Sequence, residues 1–279
     1  MQTVRTSEEL TEALAETLGQ SVALVPTMGA LHAGHLALIA EAKKRADKVV
    51  ASIFVNPAQF NDKADLERYP RNEADDEAKL AGAGCDLLWA PWVADIYPQN
   101  FATTVHVAGV SERWEGEHRP GHFDGVATVV VKLLMSVLPD VALFGEKDFQ
   151  QLAVIRRMAA DLNMPVEIVG VPTVREGDGL AMSSRNALLS PEERSDAPLL
   201  FEQLSEVARA IASGTPVDSA TKNAVDNLIE NGFEPVDYVA YVDGQKLEPI
   251  GEYREGGRLI AAAFLGKVRL IDNIAVERG

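Results

Sequence analysis

The chain has 279 residues, of which 47% are hydrophobic, so it can bury a sizeable core in one large domain or two ordinary ones. Its 26 Lys and Arg residues against 42 Asp and Glu residues give a net charge of −16, which argues against nonspecific binding to nucleic acid or to an anionic membrane. Any anionic substrate must therefore bind in a locally positive pocket.

The amino-terminal segment is not typical of a secretion signal or a membrane anchor. Met1 to Leu14 is polar and acidic, with a capping box predicted from Thr6 to Glu9. The longest apolar run, Val126 to Leu138, is interrupted by Lys132 and is too short to span a bilayer. Cys85 is the only cysteine, so an internal disulfide is excluded, a reducing compartment fits, and we expect a small buried side chain that enters a strand.

The segment from Val25 to His35 (VPTMGALHAGH) joins a predicted buried strand, Val22 to Val25, to an amphipathic helix predicted from about His35 to Ala46. Gly29 and Gly34 lie in this strand-to-helix turn, as expected where the backbone needs a positive φ or a close approach to a ligand. A helix N-terminus with free N–H groups attracts anions, phosphate above all. The turn is therefore the first candidate binding site.

Two of the five histidines, His32 and His35, lie at this turn. Three residues apart, they can point the same way, donate N–H groups to negative oxygens and gain a positive charge during a reaction. The alternative is that both are surface or satisfied core histidines. The spacing His32-x-Gly34-His35 resembles the HxGH signature of the nucleotidyltransferase and class I synthetase superfamily, whose members bind ATP. The apolar run from Val49 to Val55 then closes a Rossmann-like βαβ unit.

Three polar side chains after the second strand are candidates for substrate or metal binding. Gln59 lies in the segment Asn56 to Phe60, at the carboxyl end where open α/β sheets bind ligands. Its amide suits a substrate with hydroxyls and a carboxylate, and a loop glutamine that faces water is the equal alternative. Asp75 and Asp76 lie near the start of a charged helix, and they are interpreted either as a solvated helix face or as ligands of Mg²⁺.

The middle of the chain carries two further predicted strands and a shaped loop. Leu87 to Ala90 predicts a buried strand and Thr103 to Val107 an alternating one. The segment from Arg113 to Gly125, rich in Gly, Pro, His and Arg, predicts the loop. Arg119 within it is expected either to contact a carboxylate or phosphate or to pair with a glutamate of the same segment.

A second turn repeats the opening design. Asp140 to Phe144 predicts a strand, Gly145 a turn, and Lys147 lies at the start of a helix that runs to Leu162. A lysine there opposes the helix dipole, so contact with a bound phosphate is favoured over a free surface lysine. Gln151, one turn along, is expected to face the same crevice.

The remainder of the chain predicts a second domain. After a strand at 166–171, the segment 174–186 predicts a mobile loop that closes over a triphosphate. Ser190-Pro191-Glu192-Glu193 predicts a helix start, with helical patterns to about Ser213 and from Pro216 to Glu230. Antiparallel strands are predicted at 236–242, 258–264 and 268–274. The predicted fold is α/β, with a Rossmann-like parallel-sheet domain at 1–173 and a smaller α+β domain at 174–279.

Six segments together closely resemble the pantothenate synthetase (pantoate:β-alanine ligase) family. In chain order they are Pro26 to His35, Asn56 to Phe60, Tyr69 to Arg71, Arg119 to Gly125, Phe144 to Asp148 and Asp178 to Asn186. The visible departure is Ala33, where the family usually has glutamate. That side chain is not one of the family's ligands, so we expect the change to be tolerated, although it can alter the local pKa.

The resemblance implies ATP-dependent condensation of pantoate with β-alanine to pantothenate, through a pantoyl adenylate, with release of AMP and pyrophosphate. It also implies a cytoplasmic homodimer that uses Mg²⁺, and pantoate binding by Gln59 and Gln151. His35 takes the place of the family's catalytic histidine. The implied ATP-binding residues are Met28, Gly29, Ala30, Leu31, His32, Ala33, Gly34, His35, Gly145, Glu146, Lys147, Asp148, Val174, Met182, Ser183, Ser184 and Arg185.

The chemistry of the residues agrees with this assignment. The carboxylate of pantoate is already a nucleophile, so the protein mainly aligns it with the α-phosphate and stabilises charge on the phosphoryl oxygens. The candidates for this work are His32, His35, Lys147, Ser183 and Arg185. The second domain is expected to act as a lid that keeps water from the adenylate.

Two other functions are considered. One is another HxGH-type nucleotidyltransferase acting on a small carboxylic acid, or a tRNA-charging enzyme; the acidic chain and the lack of a tRNA-binding domain argue against the latter. The other is a non-catalytic ATP-binding regulator, which the intact His32, His35, Lys147 and Arg185 disfavour.

Overall fold

The computed structural model describes residues 1–61 and 63–278. The chain divides into two compact units. Unit 1 comprises Met1–Glu146 and Gln151–Pro172, and unit 2 comprises Lys147–Gln150 and Thr173–Gly279. A six-stranded parallel sheet in unit 1 and a three-stranded antiparallel sheet in unit 2 confirm the predicted α/β fold class.

The parallel sheet of unit 1 places its ligand-binding edge at the first predicted turn. Its strands are β1 (Gln2–Val4), β2 (Val22–Thr27), β3 (Lys48–Ile53), β4 (Leu87–Trp89), β5 (Val141–Gly145) and β6 (Glu167–Val171). Their spatial order is β1-β4-β3-β2-β5-β6. The order reverses between β2 and β5, and ligands of open α/β sheets bind outside the carboxyl ends of the strands at such a switch point.

Helices cover both faces of this sheet, which is why its strands read as nearly continuous apolar runs. The helices between residues 7 and 161 are α1 (Ser7–Ala15), α2 (Ala33–Arg45), α3 (Lys63–Arg68), α4 (Glu73–Ala83), α5 (Val93–Ile96), α6 (Glu115–His118), α7 (His122–Val137) and α8 (Phe149–Asp161). One apolar layer includes residues of α1, α7 and α8, and the opposite layer includes residues of α2 and α4. Cys85 lies in the second layer, and burial raises the pKa of its thiol to about 11.

Two parts of unit 1 differ from the sequence prediction. The strand predicted from Thr103 to Val107 is wrong, because this segment joins no sheet. The Val105 N–H donates instead to Thr128 Oγ1 on α7 at 2.9 Å, so the extended segment packs on a helix. The edge strand β1 was not predicted, since its three residues are too few to show a period.

The part of unit 2 that the structure describes contains three α-helices from residue 191 onwards and a meander of three strands. These are α9 (Pro191–Asp196), α10 (Leu199–Ala212), α11 (Val217–Glu230), β7 (Phe233–Asp243), β8 (Gly257–Leu265) and β9 (Val268–Ala275). Ser190 and Glu193 form the predicted capping box. The helix predicted to run on to about Ser213 is two helices, because Pro198 lies at the start of α10 and lacks the N–H that would continue α9.

No helix in the described residues is long and apolar enough to cross a membrane. The longest apolar run forms most of α7, which has 16 residues.

Candidate active site

One buried carboxylate fixes the turn between β2 and α2. Gly29 has a φ of 82° and Ala30 a φ of 52°, so the chain passes through the left-handed region twice. Asp76 on α4 is 1% exposed; its Oδ2 accepts a hydrogen bond from the Ala30 N–H at 2.8 Å and its Oδ1 accepts one from the Leu31 N–H at 2.7 Å. A Cβ on Gly29 would lie 3.0 Å from Asp76 Oδ2. Glycine at this position therefore leaves room for the carboxylate that sets the path of the turn.

The two histidines of the turn cap α2, which begins at Ala33 rather than near His35. His32 is the N-cap residue, and its Nδ1 accepts a hydrogen bond from the Gly34 N–H at 3.1 Å. The His35 Nδ1 accepts one from the His32 N–H at 3.3 Å, and the ring centroids are 4.2 Å apart. Because both Nδ1 atoms accept, each neutral ring carries its hydrogen on Nε2, where it is a donor. Ala33, the departure from the family pattern, is exposed.

Gln59 lies in a short 3₁₀ helix, Pro57–Gln59, that follows β3. Asn56 caps this helix and its Nδ2 donates to Gln59 Oε1 at 3.0 Å. Gln59 Nε2 in turn contacts Met28 Sδ at 3.0 Å, and Gln59 is only 9% exposed. The alternative of a loop glutamine that faces water does not fit this burial. The contact brings a residue predicted to bind pantoate against the first residue of the predicted ATP turn.

Asn56 is itself held by Tyr97. The Tyr97 hydroxyl donates to Asn56 Oδ1 at 2.8 Å. Burial raises the pKa of Tyr97 to about 12, so the phenol keeps its hydrogen throughout the physiological range. The donor that orients Asn56 is therefore permanent.

The segment before α7 supports Gln59 through its backbone. The Gln59 carbonyl accepts a hydrogen bond from His122 Nδ1 at 2.9 Å, and Arg119 Nη2 lies 3.4 Å from the same oxygen. Arg119 Nη1 lies 3.7 Å from Glu115 Oε2, in a carboxyl group that is 8% exposed. Of the two alternatives for Arg119, the structure therefore contains the internal ion pair.

Gly125 allows α7 to approach this turn directly. The Gly125 carbonyl accepts a hydrogen bond from Asn56 Nδ2 at 3.1 Å. A Cβ on Gly125 would lie 2.3 Å from the Ala58 carbonyl oxygen. A larger residue would push the Gln59 turn away from the helix.

Asp75 and Asp76 do not fit a shared metal site. Asp75 is exposed and pairs with Lys79 Nζ at 2.6 Å. Both oxygens of Asp76 accept backbone hydrogen bonds, as described above. Among the described residues, no group of three or more His, Cys, Asp or Glu side chains is placed to hold a metal ion. The two hydrogen bonds that Asp76 accepts therefore make it an anchor of the loop and not a magnesium ligand.

Lys147 lies in a 3₁₀ turn, Glu146–Asp148, between β5 and α8. Its side chain is 19% exposed, and Nζ lies 3.9 Å from Asp148 Oδ1. Its carbonyl accepts a hydrogen bond from Asn273 Nδ2 at 2.9 Å. Lys147 and Asp148 therefore belong to unit 2, whereas Gly145, Glu146 and Gln151 belong to unit 1.

The predicted mobile loop, 174–186, has defined backbone pairing. The Val174 carbonyl accepts a hydrogen bond from the Met182 N–H at 3.0 Å, which closes a short hairpin. Ser183 then caps a 3₁₀ helix, Ser184–Leu188, by accepting a hydrogen bond from the Arg185 N–H at 3.2 Å. The segment from Met182 to Arg185 therefore has a fixed start.

Arginine and carboxylate groups hold the outer part of this hairpin. Arg194 on α9 contacts Glu176 Oε2 at 2.6 Å and Asp178 Oδ2 at 2.7 Å. The hydrogen bond from Arg194 lowers the pKa of Asp178 below its ordinary value of 3.8. Asn186 Nδ2 also donates to Glu176 Oε1 at 3.0 Å, which joins the end of the loop to its beginning.

The family follows from comparison with known proteins. The family model described as pantoate-beta-alanine ligase matches residues 2–275. The chain belongs to the pantoate-beta-alanine ligase family. It is a ligase for pantoate and β-alanine that depends on ATP, as the motifs of the sequence predict.

Individual relatives agree over the whole length. The chain is 60% identical to the pantothenate synthetase of Rhizorhabdus wittichii over 279 residues, with 99% of each chain covered. Its structure superimposes on the crystal structure of pantothenate synthetase from Thermus thermophilus with a TM-score of 0.94 and 49% identity, and 99% of each chain is covered. It also superimposes on the crystal structure of pantoate-beta-alanine ligase from Francisella tularensis, complexed with beta-gamma ATP and beta-alanine. The TM-score is 0.84 and the identity 33%, with 100% of this chain and 99% of that chain covered.

The structure gives four residues of this ligase roles that sequence analysis did not assign to them. Asn56, Tyr97 and His122 hold Gln59, and Asp76 holds the first turn. A local signal exists only for Asn56, because Asn before Pro is typical of a helix N-cap. The other contacts join residues far apart in the chain.

Proposed function

We propose that the reaction proceeds through pantoyl adenylate. The pantoate carboxylate attacks the α-phosphorus of ATP, the bond to the β-phosphate oxygen breaks, and pyrophosphate leaves. The amine of β-alanine then attacks the acyl carbon, AMP leaves with the electron pair of the acyl–oxygen bond, and the amine loses a proton. Neither step needs an oxidant or a reductant.

The contact between Gln59 and Met28 carries this proposal. It joins the turn after β3 to the turn after β2, at the carboxyl edge of the sheet. A carboxylate held by the Gln59 amide would lie beside a nucleotide held by the backbone of 28–35. Such alignment of nucleophile and phosphate is the main requirement for phosphoryl transfer. Gln151, on α8 of the same unit, is proposed as a second pantoate ligand.

The proposed roles of the remaining residues follow from their donors. The Nε2–H groups of His32 and His35 donate to phosphoryl oxygens. Lys147, Ser183 and Arg185 stabilise the developing negative charge, and the other implied residues of 145–148, Val174, Met182 and Ser184 contact ATP. We place Mg²⁺ on the ATP phosphates, because Asp75 and Asp76 do not fit as its ligands.

The assembly and the cellular setting are proposed from the family resemblance. We propose a homodimer in the cytoplasm, with pantoate, β-alanine and ATP as its only substrates. We also propose that residues 174–279 protect the adenylate from hydrolysis.

The first prediction is that pantoate alone supports exchange of labelled pyrophosphate into ATP, because the adenylate forms before β-alanine reacts. His35→Ala should slow this exchange by about a hundredfold or more, since it removes a donor aimed at the phosphates. His106→Gln is the matched control, because His106 is exposed and pairs with Asp124. Exchange that strictly requires β-alanine would exclude the two-step reaction.

A further inference from the structure

Two adjacent polar residues of β9, Asp272 and Asn273, are almost completely buried. Asp272 is 4% exposed and Asn273 3%. Consecutive residues of a strand point to opposite faces of a sheet, so the two side chains extend in different directions. Buried polar groups need specific partners, and each of these two has them.

Asp272 holds the loop that carries Ser183 and Arg185. Its carboxylate accepts two hydrogen bonds from Arg175, at 2.7 and 2.9 Å, in the bidentate geometry typical of strong ion pairs. The Arg175 guanidinium lies 3.8 Å from the centre of the Phe201 ring. Arg175 follows Val174 directly, so the ion pair fixes the base of the hairpin.

Asn273 holds the turn that carries Lys147. Its Nδ2 donates to the Lys147 carbonyl at 2.9 Å, and its Oδ1 accepts a hydrogen bond from Arg258 Nε at 2.6 Å. The guanidinium of Arg258 lies 4.0 Å from the centre of the Phe149 ring, two residues after Lys147. Because Arg258 can only donate, it orients the amide so that the NH₂ group faces the carbonyl.

The two residues are also joined to each other. The Asn273 N–H donates to Asp272 Oδ1 at 2.7 Å, and Arg175 Nη2 lies 3.4 Å from the Asn273 carbonyl oxygen. One dipeptide of a regular strand therefore connects the Lys147 turn to the Arg175 loop. The connection lies entirely within unit 2.

We propose that Asp272 and Asn273 are positioning residues for adenylate formation, which set the Lys147 turn and the loop of Ser183 and Arg185 in register with each other. This inference rests on the proposed function, in which Lys147, Ser183 and Arg185 contact ATP. A displacement of about 1 Å can slow an enzyme a hundredfold, so the register of such groups matters to the rate.

Asn273→Asp tests the proposal in the full-length protein. The variant keeps the size and the acceptor for Arg258 but has no N–H for the Lys147 carbonyl. We expect kcat of pantoate-dependent pyrophosphate exchange to fall about tenfold or more, with KM for pantoate unchanged within about twofold. Lys147→Ala should slow exchange by about a hundredfold or more, and the double variant should be no slower, because Asn273 acts through Lys147. Asp272→Asn should likewise lower kcat of the exchange, and combining it with Arg185→Ala should make the enzyme no slower than Arg185→Ala alone.

Asp237→Asn is the matched control. Asp237 on β7 pairs with Arg269 of β9 at 2.7 Å, and its side chain is 10% exposed. The variant should lower the melting temperature but leave exchange within about twofold. If Asn273→Asp does not fold, Asn273→Ala replaces it with the same expectations.

Three results would overturn the inference. If Asn273→Asp exchanges at the full rate while Lys147→Ala is slow, Asn273 has no part in the reaction but the proposed function stands. The same conclusion follows if the rate losses of the two single variants add in the double variant. Full exchange by Lys147→Ala would contradict the proposed ATP role of that lysine, and the positioning role would fail with it.

Discussion

Unit 1 and unit 2 hold their proposed ATP segments by different chemistry. In unit 1 the turn 28–35 is held through its backbone, with Asp76 as the acceptor and His32 as the helix cap. In unit 2 the loop 174–186 is held through the side-chain ion pairs of Arg175 and Arg194. A buried carboxylate that accepts backbone N–H groups is shielded from salt, and so is the buried pair of Arg175 and Asp272, whereas the partly exposed pairs of Arg194 are screened by it. The first segment should therefore respond to core substitutions, and the outer part of the second should respond to ionic strength.

The largest expected effect is on stability, at the anchor of unit 1. Asp76→Ala leaves the buried Leu31 N–H and the partly buried Ala30 N–H without their acceptor, so the free energy of unfolding should fall by about 3 kcal/mol. Urea unfolding followed by tryptophan fluorescence measures this effect, because all three tryptophans lie in unit 1.

The neighbouring aspartate is the control for that experiment. Asp75→Ala removes only the exposed pair with Lys79, so we expect a change of at most about 0.5 kcal/mol. An equal fall in the free energy of unfolding of the two variants would contradict the anchor role of Asp76. A shift in the Mg²⁺ dependence of exchange in both variants would instead restore the metal interpretation.

A smaller effect, on substrate binding, is expected at the second turn of unit 1. Gly125→Ala places a methyl group against the Ala58 carbonyl and displaces Gln59, so KM for pantoate should rise about tenfold with KM for ATP unchanged. Gln59→Ala should show the same selectivity. Gly82→Ala is the matched control, because a Cβ there meets nothing within 4 Å. An equal rise of KM for ATP would mean that this turn contributes to the binding of both substrates and not of pantoate alone.

The smallest effect is expected at the outer anchor of unit 2. Arg194→Ala should lower kcat/KM for ATP about threefold at low salt, and the difference from the wild type should vanish near 1 M NaCl, because the pair is partly exposed. Steady-state kinetics over a salt series measures it. Lys222→Ala, which removes an exposed pair with Asp226 on α11, is the control. A threefold loss that persists at 1 M NaCl would show that Arg194 acts by contact rather than by charge.

This ion pair should not respond to pH in the working range. The pKa of Asp178 is lowered from 3.8, so its contribution is fully present above that value and is lost only as the pH falls through the lowered pKa. The salt series can therefore be measured at any pH from about 6 to 9 without titration of this pair.

Local signals in the sequence determined most of the elements. The capping boxes at Thr6 and Ser190 set two helix starts, and the apolar run from Val22 predicted the central strand, because these signals involve residues close in the chain. The segment from Thr103 to Val107 shows the limit of this reasoning. Its alternation is that of a strand, but a strand also needs a partner, and α7 occupies that side.

Only the tertiary structure decided how the proposed site is held. Asp76 lies 46 residues after Ala30, and Asn273 lies 126 residues after Lys147. The boundary predicted at residue 173 assigned Lys147 to the first domain. In the structure Lys147 belongs to unit 2, because its turn contacts β8 and β9. The sequence by itself determined the family and most of the elements, and it predicted the residues that are proposed to carry the chemistry, since motifs and periodicity are local. A helical or strand period does not specify which distant donor will meet a given carbonyl, so the anchors became visible only once the chain was folded.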